Sequence, residues 1–200
     1  MKLTGVSLAG VVNPLIRGAE LATESRPEEE TDLNDEPSEP SFEDALELRP
    51  QGGRTAVFTR LAIPAGAVVS RMRGERLDRP SRYTFQLGEG RHLGKSGLPY
   101  DEMLHACRPN VRVDLADPDR PVLRAIREIP AGGELTVDYC ATEEEMAEPF
   151  DCACGAPGCY RMVRGYRFLT EEQRAAIGDN AAPHLRRRYA AGRELATAAG

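Results

Sequence analysis

The chain has 200 residues, of which 29% are charged and none is tryptophan, and this suits one domain, or one domain with tails. Its longest apolar stretch, residues 6–12, is too short to span a bilayer, and Asn13-Pro14 interrupts it without the small-residue cleavage site of a signal peptide. This pattern excludes a membrane-spanning helix in that stretch, and we expect a cytoplasmic protein with no membrane partner.

Charge is distributed unevenly along the chain. Residues 1–47 contain 12 acidic and 3 basic residues, a net charge of −9, which leaves 20 acidic and 23 basic residues for the remainder. Three prolines interrupt the acidic stretch, and such a segment buries too little apolar surface to offset its ordering entropy. We therefore predict that residues 1–47 are an acidic disordered tail, a candidate site for a basic partner, and that order begins near Leu48.

Short alternating segments after this tail predict a mainly β protein. The segments predicted as strands are residues 55–63, 67–72, 83–87, 111–115, 122–129 and 135–139. The turn at residues 64–66 predicts that the first two strands form a hairpin, and the turn at residues 117–119 predicts a second pair. Residues 91–100 are rich in glycine and are predicted to be irregular.

One tetrapeptide occurs twice in these segments. Ile63-Pro64-Ala65-Gly66 returns as Ile129-Pro130-Ala131-Gly132, each time between a strand and the next one. We interpret the recurrence as repeated turn chemistry and not as a repeated domain.

Two helices are predicted at the C-terminal end. Thr170 and Gln173 have the spacing of a capping box at the start of a helix that Gly178 ends. A second helix is predicted from about Pro183 to Ala198, and it carries arginines at positions 186, 187, 188 and 193. A solvated helix face is the simplest reading of this basic run. The alternative is a binding surface for substrate or nucleic acid, and the composition does not favour nucleic acid.

The cysteines predict a zinc site. Cys152, Cys154 and Cys159 lie within eight residues, around a Gly155–Gly158 turn that can bring the third thiol back to the others. Three adjacent thiolates repel one another without a cation, and zinc holds sulfurs at about 2.3 Å in a tetrahedron. Reduced, buried thiols are the alternative. The spacing leaves the fourth ligand open between Cys107 and Cys140, and a site closed by thiolates would be structural.

Four motifs, taken in order, resemble the SET-domain protein-lysine methyltransferases. Residues 152–159 have the Cys-x-Cys-x4-Cys spacing of a post-SET segment, and residues 105–110, His-Ala-Cys-Arg-Pro-Asn, resemble the motif Asn-His-Ser-Cys-x-Pro-Asn. Residues 125–139 are similar to the second core motif, which ends in Asp-Tyr, and residues 54–66 are similar to the opening segment. The resemblance covers about residues 48–170 and is closest to members of bacterial type that carry a short insert.

The resemblance implies a fold, two cofactors and a substrate class. The fold is SET-like, with several small β-sheets and a pseudoknot in which the C-terminal motif threads past residues 105–110. A SET-like core at residues 48–147 would precede a post-SET zinc segment at 148–168 and C-terminal helices at 169–200. The cofactors are S-adenosylmethionine and Zn²⁺, the acceptor is a protein or peptide lysine, and Cys107 completes the zinc site in place of Cys140.

The resemblance also assigns roles in catalysis. The lysine amine must be neutral to attack, and a desolvated channel beside a sulfonium lowers its pKa from about 10.4. The Tyr139 phenol would orient that amine, although a tyrosine capping a strand end is the alternative. Tyr83 is either a second channel aromatic or a core residue. His105 matches the motif histidine near the adenine, or is a hydrogen-bonded core histidine, and Asn110 is expected to pin the backbone of the knot.

Other predicted cofactor-binding residues include three departures from the family pattern. Tyr160 and Met162 follow the last zinc ligand, where the family covers the adenine. Leu104 replaces the asparagine of the histidine motif. Arg54 begins a segment, residues 54–56, that replaces a Gly-x-Gly sequence. Met72 replaces the tyrosine of a Tyr-x-Gly motif. Two hypotheses follow: an active protein-lysine methyltransferase, or a degenerate SET module that binds a protein or peptide without catalysis.

Overall fold

Short strands carry most of the fold, and two α-helices follow them in the chain. The computed structural model describes the backbone of residues 39–198 and the side chains of residues 39–190. The strands are β1 Leu46–Gln51, β2 Arg54–Thr59, β3 Val68–Arg71, β4 Arg76–Leu77, β5 Phe85–Gly88, β6 Arg91–Leu93, β7 Leu104–His105, β8 Val111–Asp114, β9 Val122–Ala125, β10 Glu134–Val137, β11 Phe150–Asp151 and β12 Met162–Val163. The α-helices are α1 Glu171–Ile177 and α2 Pro183–Ala198, and 3-10 helices cover Glu43–Ala45, Pro99–Glu102, Tyr139–Ala141, Tyr166–Phe168 and Gly178–Asn180.

The strands form three sheets. The largest has the order β1-β2-β10-β8-β9-β3 with β7 also paired to β10, and the smaller ones are β4-β6-β5 and β11-β12. In β8, Val111 and Val113 are buried whereas Arg112 and Asp114 are partly exposed, so that one face of the sheet covers the core. The prediction of a mainly β protein with several small sheets and C-terminal helices is confirmed.

Strand β10 is the centre of the predicted knot. Its Val137 pairs in parallel with His105 of β7 and with Val111 of β8. A strand residue has one neighbour on each edge, so β7 and β8 lie on opposite edges of β10. The loop that joins β7 to β8 therefore crosses over β10. Asn110 in this loop donates to the Glu134 carbonyl at 2.7 Å and accepts from the Thr136 N–H at 2.8 Å. The prediction that Asn110 pins the knot is confirmed.

The repeated tetrapeptides lie against each other. Ile63 and Ile129 exchange both backbone hydrogen bonds, at 2.8 and 2.9 Å, and form an antiparallel bridge. The predicted hairpin of residues 55–63 and 67–72 is therefore wrong, because β2 pairs with β1 and β10 while β3 pairs with β9. Each copy of the tetrapeptide pairs through its isoleucine with the other copy, 66 positions away in the chain, and not with the strand that follows it. The predicted pairing of residues 111–115 with 122–129 is confirmed by β8 and β9.

Order begins before the predicted boundary at Leu48. Residues 39–47 include a 3-10 helix and the start of β1, and Ala45 and Leu46 are buried. The acidic side chains here are paired: Glu43 accepts from Ser70 at 2.5 Å and bonds Arg73, and Glu39 lies 3.1 Å from Arg124. Negative charge alone suggested disorder, but basic side chains of the sheet compensate it. The rest of the predicted tail, residues 1–38, lies outside the described residues.

The helical predictions at the C-terminal end are confirmed. Thr170 and Gln173 form a complete capping box, and Gly178 ends α1 at a φ of +54°. Helix α2 has the predicted bounds and buries Leu185.

Residues 91–100, predicted to be irregular, contain β6 and the beginning of a 3-10 helix. No helix among the described residues has the length and apolarity needed to cross a membrane.

Candidate functional site

A cavity of about 440 Å³ opens beside the knot, within the range of about 300–1,000 Å³ that is typical of small-molecule sites. Its wall brings together four residues that the sequence predicts for the site, namely Tyr139, Tyr83, Arg54 and Leu104. Arg54 and Leu104 lie in strands of the largest sheet, Tyr83 lies in the turn before β5, and Tyr139 lies in the 3-10 helix that follows β10, so the fold assembles the cavity from distant parts of the sequence.

Tyr139 supplies a partly buried phenol to this wall. Its hydroxyl donates to the Met103 carbonyl at 2.7 Å, and its ring meets the Phe150 ring edge to face at 6.0 Å. Burial, with a smaller contribution from the negative charge of Glu102, raises the pKa of Tyr139 to about 12. The phenol is therefore neutral near pH 7; its O–H is donated to the Met103 carbonyl, and its oxygen can accept a hydrogen bond from a ligand.

His105 lies between Tyr139 and the cysteines and is not part of the cavity wall. Its side chain is 2% exposed, its Nδ1 accepts from the Tyr139 N–H at 3.2 Å, and its Nε2 lies 3.3 Å from the Cys107 sulfur. Burial lowers the pKa of His105 to about 4, so the ring is neutral. Because Nδ1 accepts, the proton is assigned to Nε2 and points to the sulfur. These contacts are those of a hydrogen-bonded core histidine, and the position of His105 near the adenine stays a prediction.

Four cysteine sulfurs come together next to His105. The sulfurs of Cys107, Cys152, Cys154 and Cys159 all lie within 4.8 Å of one another, and Cys107 is 3.7 Å from Cys152 and 4.0 Å from Cys159. Four sulfurs around one tetrahedral ion, bound at about 2.3 Å, would lie about 3.8 Å apart. The donor set and its spacing therefore fit one metal ion. Cys140 is fully buried and lies outside this cluster.

Backbone N–H groups and one carboxylate fix the segment that carries the last cysteine. The Tyr160 N–H points to the Cys107 sulfur at 3.4 Å, and the Tyr160 hydroxyl donates to Asp138 at 2.6 Å. Asp138 also accepts from the Cys140 N–H at 2.9 Å, and burial raises the pKa of this carboxyl to about 6. The cysteine segment is thus tied to the residue that precedes Tyr139, a link that sequence reasoning missed.

Three further predicted residues lie outside the cavity wall. Met72 is a core residue, and its N–H donates to the Pro121 carbonyl at 2.9 Å. Met162 is 43% exposed on β12, and Tyr160 lines a separate cavity between β8 and α1. These three residues are predicted to contact the cofactor, but they do not line this cavity.

Tyr83 is at the edge of the cavity and not in the core. Its side chain is exposed, and the Lys95 ammonium lies 4.2 Å from the ring centroid. The alternative reading of Tyr83 as a core residue is therefore wrong. Its position in the wall is compatible with the other reading, a channel aromatic.

Phe150 and Glu143 are among the residues of the wall that sequence reasoning missed. Phe150 precedes the cysteine segment, and its ring lies 5.9 Å from that of His105. Glu143 belongs to the acidic run Glu143-Glu144-Glu145, which by pattern alone indicates a solvated surface. Only tertiary contacts show that the first of the three carboxyls is buried.

Comparison with known proteins identifies relatives of this chain. The methyltransferase flvH of Aspergillus flavus is 34% identical over 107 residues, which cover 52% of this chain and 58% of that protein. The histone-lysine N-methyltransferase trr of Drosophila melanogaster is 35% identical over 102 residues, 48% of this chain and 4% of that protein. This chain therefore spans little more than half the length of the first relative and a small part of the second.

Solved structures and a family model add to this comparison. The crystal structure of KRYPTONITE in complex with mCHG DNA and SAH aligns with a TM-score of 0.49 and 28% identity, over 59% of this chain and 28% of that one. The family model described as SET domain matches residues 25–140, more than half of the chain. On the strength of that match, the chain belongs to the SET domain family.

Proposed function

We propose that this protein is a protein-lysine N-methyltransferase that uses S-adenosylmethionine. The observation that carries the proposal is the position of Tyr139, whose neutral phenol lines a cavity together with Leu104 and Arg54, residues at the motif positions of the family. The printed names of the two relatives, a methyltransferase and a histone-lysine N-methyltransferase, agree with this reaction class.

The charge of the cavity wall supports a cationic substrate. The ionisable groups in it are the carboxyls of Asp101, Glu102, Glu143 and Glu148 and the guanidinium groups of Arg54 and Arg82. A surplus of carboxyls favours the entry of a lysine ammonium, and exclusion of water then lowers its pKa toward the neutral amine that reacts. S-adenosylmethionine, when bound, supplies an electrophilic methyl group. The part of Tyr139 is to orient the lysine amine, so that catalysis is mostly positioning.

We further propose that the four clustered thiolates bind one structural zinc ion. The cysteines that would hold it are Cys107, Cys152, Cys154 and Cys159. Four sulfur ligands leave no open position for a substrate, so the ion would stabilise the fold and take no part in the reaction. Its location supports a structural role, because Cys107 belongs to the knot and the other three belong to the segment that follows the cavity wall.

Transfer of labelled methyl groups tests the proposed activity. The purified protein is incubated with S-adenosylmethionine labelled in its methyl group and with a lysate of the native host, and labelled proteins are then identified. Label that is recovered as methyl-lysine would support the proposal. Absence of protein-bound label over a range of pH and cofactor concentration would contradict it.

A second candidate function is a SET module that binds a protein or peptide without catalysis. The observation that favours it is the apolar Leu104 side chain in the cavity wall, at the position of the family's asparagine. A lost hydrogen bond weakens binding by roughly 0.5–1.5 kcal/mol, and several losses together would matter. Calorimetry separates the two functions: heat of binding at micromolar to millimolar cofactor supports the enzyme, and no heat at millimolar cofactor supports the binding module.

A further inference from the structure

Glu143 is a buried carboxyl in the wall of the cavity that contains Tyr139. The residue is 6% exposed, although the next two residues in the chain are also glutamates and are progressively more exposed. It follows the 3-10 helix of Tyr139, and its N–H donates to the Tyr139 carbonyl at 2.9 Å. Both residues line the same cavity, four positions apart in the chain.

The contacts of this carboxyl leave it without a positive partner. Its Oε1 accepts from the Gln86 N–H at 2.7 Å and lies 3.4 Å from the Thr142 hydroxyl. Within residues 39–190, the side-chain range that the structure describes, no lysine, arginine or histidine forms an ion pair with Glu143. A buried charge without a partner is costly, and this burial raises the pKa of Glu143 to about 8.

Two of the other carboxyls of the wall are paired with basic side chains, and the third, which is only partly buried, accepts backbone N–H groups. Glu102 lies 2.9 Å from Lys95, Glu148 lies 3.2 Å from Arg82, and Asp101 accepts from the Ser96 and Gly97 N–H groups. Of these four acids of the wall, Glu143 alone is buried and has no basic side chain as its partner.

The elements packed on Glu143 contribute no charge of their own at its carboxyl. Strand β5 presents Gln86, the preceding 3-10 helix presents the neutral Tyr139, and the backbone N–H of Tyr166 donates to the Glu143 carbonyl at 2.8 Å. Its neighbour Glu144 is turned away and pairs with Arg188 at 3.1 Å. The cavity is therefore the side from which a cation can reach this group.

We propose that Glu143 binds the ammonium group of the substrate lysine and accepts its proton before methyl transfer. The inference rests on the proposed function, because it names the residue that prepares the lysine of that same reaction. A carboxylate that meets an ammonium in a desolvated cavity gains the partner that it lacks in the free protein. It is also the kind of proton acceptor that a methyl acceptor with an ordinary pKa of about 10.4 requires.

The proton transfer is balanced within the cavity. One N–H bond of the lysine ammonium breaks, its electron pair stays on nitrogen, and an O–H bond forms on the Glu143 carboxylate. The lysine is left as a neutral amine that donates an N–H to the Tyr139 hydroxyl oxygen and keeps its lone pair free, and Glu143 is left as a neutral acid. Binding of the ammonium displaces to solvent the proton that Glu143 holds in the free protein, and the proton taken from the lysine then replaces it, which accounts for the one proton that lysine methylation liberates.

Carboxyl NMR with a lysine side-chain mimic tests the binding step. The protein is labelled with glutamate that carries ¹³C in the side-chain carboxyl, and the Glu143 signal is assigned by its loss in Glu143→Gln. Saturating n-butylammonium should lower the apparent pKa of this signal by at least one unit, a tenfold change in proton affinity, whereas n-butanol should not. Lack of a saturable change, or an equal change with n-butanol, would overturn the proposal.

Rates of methyl transfer test the proton step. At pH 7.5, Glu143→Gln should label lysate proteins at least tenfold more slowly than wild type, and the deficit should narrow at pH 9.5, where more lysine is neutral in solution. Glu145→Gln, which changes an exposed carboxyl outside the cavity wall that is paired with Arg167 at 2.6 Å, should keep the wild-type profile. Equal rates and profiles for wild type and Glu143→Gln would overturn the proton step and leave the proposed function intact.

The two proposals fail in different ways. If n-butylammonium titrates Glu143 in wild type but no methyl group is transferred to any protein, the proposed function fails and the lysine-binding half of the inference holds. The NMR titration is made on the wild-type protein, so it remains decisive even if Glu143→Gln folds poorly.

Discussion

The backbone N–H of Tyr139 donates to Nδ1 of His105, and the other nitrogen of that ring faces the Cys107 sulfur at 3.3 Å. One buried imidazole thus connects the residue that carries the candidate catalytic phenol with the candidate metal cluster. Because the ring is neutral and has two different nitrogens, it donates on one side and accepts on the other. Loss of the metal should therefore change the position of Tyr139 as well as that of the cysteine segment.

Cys107→Ser should release zinc and weaken cofactor binding. A serine hydroxyl is a poor replacement for a thiolate ligand. Loss of the thiolate and of the metal frees the cysteine segment from the knot. Metal content by inductively coupled plasma mass spectrometry, after dialysis against a chelator, should fall from about one zinc per chain toward zero. Cys140→Ala is the control and should retain zinc, since Cys140 lies outside the cluster. Equal zinc content in both variants would contradict the assignment.

Tyr139→Phe should reduce methyl transfer by at least about tenfold with little change in cofactor affinity. The substitution keeps the ring and its packing and removes the hydroxyl that donates to the Met103 carbonyl. Transfer of labelled methyl groups and calorimetry measure the two quantities. Tyr189→Phe also removes one tyrosine hydroxyl, bonded to Glu144 at 3.0 Å but away from the cavity, and should leave both unchanged. Wild-type transfer by Tyr139→Phe would rule out a role for the phenol.

Asn110→Ala should lower the free energy of unfolding by about 2–4 kcal/mol, because a buried N–H and a buried carbonyl of β10 lose their partners. Urea denaturation followed by circular dichroism measures this change. Gln51→Ala removes an amide whose bond to Glu134 lies on the surface, and its effect should stay within about 0.5 kcal/mol. Similar losses for the two variants would show that the knot does not depend on Asn110.

Gly165→Ala should destabilise the protein by several kcal/mol. Gly165 has a φ of +113°, and an added Cβ would lie 2.5 Å from the Glu144 carbonyl oxygen, so strain and overlap both contribute. Gly90→Ala is the matched control, because Gly90 has a φ of +62° and open space around the added Cβ. It should cost about 1 kcal/mol, the conformational penalty alone. Thermal denaturation of both variants measures the difference, and equal costs would refute the predicted overlap.

The stability of the wild-type protein should depend on pH through Glu143. Its pKa is raised from 4.5 in the unfolded chain to about 8 when folded, so the native state holds the proton more tightly. The unfolding free energy should therefore fall as pH rises from about 5 to 8, by roughly 3–5 kcal/mol, and level off above that range. Glu143→Gln is neutral throughout and should lack this component. Parallel pH profiles for wild type and Glu143→Gln, measured by urea denaturation, would contradict it.

Local patterns in the sequence predicted local structure well. The capping box at Thr170 and the end of its helix at Gly178 depend on neighbours within a few residues, and both are confirmed. The clustering of Cys107 with the distant cysteines required the family resemblance, because spacing alone left Cys140 as a candidate. Spacing also misled at residues 55–72, since the partner of Ile63 lies at Ile129.

Burial of charged groups was the part that sequence could not predict. Glu39 and Glu43 belong to an acidic stretch, and only the arginines of the folded sheet show why they are ordered. Glu143 is indistinguishable by type from Glu144 and Glu145, yet it alone is enclosed. Whether a carboxyl is solvated depends on what packs over it, and that is decided by contacts between distant segments.

The position of β10 has a consequence for how the chain acquires its structure. This strand is near the end of the SET-like core in sequence, yet it lies in the sheet between β2 and β8 and also pairs with β7. During synthesis, strands from the first part of the core must wait for Glu134–Val137 before the largest sheet can close. Long-range pairing of this kind makes folding slow, and the unpaired edges of β2 and β8 are exposed to aggregation in the meantime.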